Sequence, residues 1–101
     1  MRSTFGQQPV YLIGRAYPDE LLIEVAKAFG LARGAVLDRR HAPAYRGAVY
    51  LLRRVVNEPI AKVARRAGIS APRVSQIQAE VESAKPQGPM QMLLKRYKVK
   101  R

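Results

Sequence analysis

PIAKVARRAGISAPRVSQIQAEV, residues 59–81, holds two helical signals separated by a three-residue break, Gly68-Ile69-Ser70. Pro59 opens the first helix, which stops at Gly68, and Ser70 caps a second running to about Ser83. Glycine at the break supplies the left-handed backbone that lets the chain reverse, a conformation costing roughly 1–2 kcal/mol for a residue with a Cβ. Val63 and Ala64 face inward on the first helix, and Ala64 is small because the second helix crosses directly over it. Ile69 plugs the corner, while Val74, Ile77 and Val81 return to the core at helical spacing. Ala71, Pro72, Arg73, Ser75, Gln76 and Ala79 then point outward. Two helices joined by so short a glycine-containing turn, the second free to enter a groove, read as a helix-turn-helix, the alternative being an αα corner of a helical bundle with its arginines solvated on the surface.

The outward residues suit base edges. Arg73 can fork onto guanine O6 and N7, Gln76 can pair with adenine N6 and N7, and Ala71 and Pro72 can touch a thymine methyl. Ser70 and Ser75 are read either as phosphate contacts or as helix caps. Lys62, Arg65 and Arg66, on the preceding helix, are placed to hold the backbone. Glu80 shares the face of Arg73 and Gln76 but lies two turns in, where it would oppose phosphate. The reading requires Arg73 and Gln76 to stand clear of neighbouring segments and of acidic cover.

Upstream, Tyr45, Ala48, Val49, Leu52 and Val56 place a central helix's apolar face, with Arg46, Tyr50, Arg53, Arg54 and Asn57 on a basic back. Gly47 inside it costs about 1 kcal/mol relative to alanine, which predicts another backbone passing close. Arg39-Arg40-His41-Ala42-Pro43 reads as a basic loop into that helix, preceded by a helical turn around Gly34 to Asp38. Further back, Pro18 starts a helix with Leu22, Val25, Ala26 and Phe29 on one face, and Gly30 ends it. Residues 1–17 are an N-terminal arm or linker carrying one apolar run, Val10 to Ile13, and 18–84 form the domain. Residues 85–101 add a proline-rich breaker, a short amphipathic segment around Met90 to Leu94 and a basic tail.

The whole chain has 101 residues, 48% hydrophobic, and a formal charge of +12. Such a chain builds one small core rather than a large catalytic cleft. The charge is lopsided, with 12 basic against 3 acidic residues after position 50 and 7 against 4 before it. A polyanion is the expected partner, met by the second half. Without cysteine, and with His41 as the sole histidine, neither a metal site nor a cofactor is expected. No carboxylate pair has catalytic spacing, so no enzyme is expected. No apolar run approaches the roughly 20 residues of a membrane span, which predicts an intracellular protein without membrane contact, cytoplasmic and, if it binds DNA, nucleoid-associated.

Beyond these residue-by-residue readings, the chain from about Leu21 to Glu82 resembles a known family. This is the C-terminal DNA-binding domain of the DnaA replication initiator, with its relatives appended to REP-associated tyrosine transposases. The likeness lies in VAKAFGL, then VLDRR before a basic loop, then YRGAVYLLRRVVN, then the two-helix stretch, whose RVSQIQAEVE is especially close to the transposase-associated version. It implies an all-α bundle related to Trp repressor, working as a monomer on double-stranded DNA in replication initiation, transposition or transcriptional regulation. Carried over, it makes Arg39, Arg40 and Arg46 the loop-side, minor-groove candidates, and Ser70, Arg73, Ser75 and Gln76 the major-groove ones. The initiator's Asp-His-Thr run is replaced here by Ser70-Ala71-Pro72-Arg73 and the loop is shorter, so the initiator's own target is not expected. Two further readings stand beside it: a basic RNA-binding protein, from the Lys/Arg tail around Tyr97, and a protein-interaction domain docking through Met90 to Leu94. For that last segment, a short helix closing the same core is the simpler reading.

Overall fold

The computed structural model describes residues 17–99. The N-terminal run Val10 to Ile13, Lys100 and Arg101 lie outside the described residues. Within them the protein is all-helical: α1 (Pro18–Phe29), a 3-10 turn (Arg33–Ala35), α2 (Ala42–Arg54), α3 (Ile60–Ala67), α4 (Ala71–Ser83) and α5 (Gly88–Arg96). Proline at the first or second position opens α1, α2, α4 and α5, where its missing N–H costs no intrahelical bond. The 3-10 turn starts one residue before the expected helical turn and is shorter than it.

α2 is the centre. It packs against α1, α3, α4 and α5; α3 and α4 pair on one flank, and α1 and α5 on the other. Eight of its thirteen residues are therefore buried, Ala44, Tyr45, Gly47, Ala48, Val49, Tyr50, Leu51 and Leu52. This corrects the two-faced reading of the helix. Tyr50, expected on an outer basic back, is fully buried and donates its hydroxyl hydrogen bond to Glu82 of α4 at 2.6 Å. A helix covered from opposite sides has no continuous outer face to offer it.

Gly47 is explained differently from the expectation. A Cβ built there would meet the Met90 Sδ of α5 at 2.9 Å, so a side chain, rather than a passing backbone, fills the space. Leu93 and Leu94 of α5 are buried in the same core, with Met90 packed against it. The amphipathic segment thus closes the fold.

The α2–α3 junction is fixed by charge. Asn57 takes a left-handed conformation, φ 63°, a region that asparagine tolerates. The next residue, Glu58, is 5% exposed and receives two nitrogens of Arg66 from α3, at 2.8 to 3.1 Å. Arg53 of α2 donates to the Glu58 carbonyl from the other side. Arg66, expected to hold a phosphate backbone, is instead the counter-charge of a buried carboxylate, and Glu58 in turn raises its pKa further.

Candidate nucleic-acid interface

α4 reaches the surface because it needs little of itself for the core. Val74 and Ile77 are its buried residues, while Pro72, Ser75, Gln76 and Ala79 form an exposed stripe at helical spacing. Ala71 is half-buried at the start of the helix. Two features aim the stripe. Gly68, at φ 69°, ends α3 in the left-handed form, and the amide of Ile69 closes back onto the Ala64 carbonyl at 3.0 Å. Ser70 then caps α4, its Oγ accepting from the Arg73 amide at 3.2 Å. That settles the local role of Ser70 as a cap. Ser75 makes no such bond and stays exposed.

The positive groups that the sequence names as candidates fall into three kinds. Arg39, Lys62 and Arg65 are exposed. Arg40 is also exposed but held: its side chain donates to both Asp38 oxygens, one contact at 2.7 Å, and its amide donates to Asp38 Oδ1 at 2.9 Å. The Arg40 side chain and then its backbone amide bring the Asp38 carboxyl down from 3.8 to about 2. The carboxylate thereby orders the basic loop while cancelling part of its charge.

Arg46 and Arg73 are the third kind, and they meet at Glu80. Arg46 of α2 donates to Glu80 Oε1 at 2.5 Å, and Arg73 Nη1 lies 3.6 Å from Glu80 Oε2. Arg73 Nη1 also donates to Gln76 Oε1 at 3.0 Å. The Arg73 side chain is 39% exposed and Gln76 is exposed, so neither is buried against a neighbouring segment. The second requirement, freedom from acidic cover, is not met by Arg73, which Glu80, two turns on along the same face of α4, approaches to 3.6 Å. The sequence places Glu80 on this face, but Arg46, thirty-four residues away, is joined to it solely by the folding of α2 beside α4. Neighbouring contacts brace the same pair of helices: Arg53 donates to Gln78 Oε1 at 3.2 Å, and Tyr50 to Glu82.

Aromatic side chains are sparse on this surface. Tyr45 and Tyr50 are buried, Phe29 and Tyr97 are partly buried, and Tyr17, before α1, is 65% exposed. Among the described residues no group of three or more His, Asp or Glu side chains could hold a metal ion, and no helix is long and apolar enough to cross a membrane. Comparison with family models, with curated proteins and with solved structures returned no match.

Proposed function

We propose that the protein is a sequence-specific double-stranded DNA-binding module that uses α3 and α4 as a helix-turn-helix. In this reading α4 lies in the major groove and presents Arg73, Gln76, Ser75, Ala71 and Pro72 to base edges. Lys62 and Arg65 meet phosphates from α3, and Arg39 and Arg40 approach the duplex from the loop before α2. The observation that carries it is the exposed stripe Pro72, Ser75, Gln76 and Ala79 on a helix whose opposite side is anchored in the core, with exposed arginines and lysines on the elements around it. The resemblance to the DnaA C-terminal domain and its transposase-associated relatives supports the same reading. It adds a Trp repressor-like fold, a role near replication, transposition or transcription, and a nucleoid location.

The alternatives fit less well. A single-strand binder stacks bases on exposed aromatics, and among the described residues most aromatics are at least partly buried. A docking role for Met90 to Leu94 competes with the core, which already takes Leu93 and Leu94.

Selection of sites from random duplex DNA tests the proposal. The wild-type chain should enrich a motif, and Arg73→Ala should lose one or more of its positions. Arg40→Ala should weaken all duplexes alike. With about six phosphates neutralised, log affinity should fall against log salt with a slope of roughly −5. Enrichment of structured RNA, or no enrichment of any duplex, would overturn it.

A further inference from the structure

A carboxylate in the middle of a surface meant for a polyanion needs a reason. Glu80 joins Arg46 on α2 to Arg73 on α4, and Arg73 is held on a second side by Gln76. Stability is a weak reason. The three charged side chains are 41%, 39% and 37% exposed, for Arg46, Arg73 and Glu80, and pairs this open contribute little to folding. Their effect on binding is larger and has two parts. An arginine engaged with a carboxylate releases fewer counterions from a phosphate, so Glu80 lowers affinity for any duplex. In exchange, the Gln76 Oε1 acceptor and the Glu80 carboxylate, 3.6 Å away, both restrain Nη1 of the Arg73 guanidinium, fixing the plane in which Nε and Nη2 are left as the fork to read guanine O6 and N7 together.

Resting on the DNA-binding reading above, we infer that Glu80 is a positioning residue that sets base specificity. It holds Arg73 as a guanine-reading fork and withholds Arg46 and Arg73 from phosphates. Discrimination rises at the expense of general affinity, and the partner is a duplex with guanine opposite Arg73.

Glu80→Gln tests this, with Glu82→Gln as the control. Glu82 lies on the same helix and carries the same charge, but it serves Tyr50. Each variant is titrated, by fluorescence anisotropy, against the duplex selected by the wild-type chain, the same duplex with that guanine replaced, and a scrambled duplex. Glu80→Gln should bind the scrambled duplex several-fold more tightly. Its salt slope should steepen by about 1 to 2, from 0.9 per arginine released to a phosphate. Its preference for guanine at that one position should fall about five-fold or more, and Glu82→Gln should keep the wild-type preference. The NMR signals of the Arg73 Nη protons, held in the free wild-type protein by Gln76 and Glu80 at Nη1, should exchange faster in Glu80→Gln, a change that does not depend on DNA. An unchanged guanine preference and slope, or equal changes in both variants, overturns the role of Glu80 while leaving DNA binding intact. Failure of the wild-type chain to select any duplex overturns both.

Discussion

Replacing Arg66 with methionine keeps most of the side-chain stem and removes the guanidinium from a carboxylate that is 5% exposed. The pair makes three nitrogen–oxygen contacts between 2.8 and 3.1 Å, so the loss includes charge-assisted hydrogen bonds as well as Coulomb attraction. Removing one member of a buried pair costs about 3–5 kcal/mol. The Arg66 side chain is 28% exposed, which places the expected loss at the lower end, about 3 kcal/mol. For a domain of this size that lowers Tm by roughly 12–24 °C. In urea, at an m-value of roughly 1.5 kcal/mol/M, it moves the midpoint by about 2 M. Arg65→Met, one residue earlier on the exposed side of α3, should change stability by less than about 0.5 kcal/mol. The double variant Glu58→Leu with Arg66→Met should recover most of the loss, because no unpaired charge remains buried. Urea unfolding followed by circular dichroism measures all three. If Arg66→Met unfolds with Arg65→Met, or the double variant is no better than the single, the junction is not held by this pair.

Three other outcomes follow from side chains of the core and loop. The Tyr45 hydroxyl is buried with no hydrogen-bond partner among the described residues, so Tyr45→Phe should raise stability, by about 1 kcal/mol, in thermal melts. Burial, reinforced by Glu82, lifts the Tyr50 phenol above its ordinary 10. Its folded value exceeds the unfolded one, so its contribution is complete below pH 10 and is lost as pH rises further; Tyr50→Phe should flatten that part of an alkaline unfolding curve. The Asp38 carboxyl should titrate by NMR near 2, and Arg40→Ala should return it towards 3.8; its contribution to loop order, present above the higher value, fades as pH falls through the lower.

The helices were legible because proline, glycine and serine mark their ends: Pro18 and Gly30 around α1, Pro43 in α2, Pro59 and Gly68 around α3, Ser70 before α4. Val63, Ala64, Val74 and Ile77 are buried where their spacing put them. What the spacing did not reveal depends on α2 being covered from both flanks. A two-faced assignment works for a surface helix, but it misplaced Tyr50 and could not see that Arg46 and Arg53 reach α4. Likewise, Arg66 has the composition of a phosphate contact. Its true partner, eight residues back, becomes visible once Asn57 turns Glu58 inward. At the candidate interface, the exposed stripe on α4 followed from sequence, whereas the link from Glu80 to Arg46 required the fold.

The arrangement around α2 also divides the freedom of the chain to vary. Among the described residues, α1 pairs with α5 and α3 with α4, and the two pairs meet mainly through α2, with Phe29 of α1, Val81 of α4 and Met90 of α5 sharing the lining of one cavity. Away from that cavity, substitutions accepted on one flank therefore need little compensation on the other, and each pair can diverge at its own pace. Positions in α2 answer to both, as with Gly47, where any gain in bulk obliges Met90 to shrink or move. In a lineage of such proteins the middle helix would change slowest, and α4 could acquire new base preferences while the opposite flank stayed as it is.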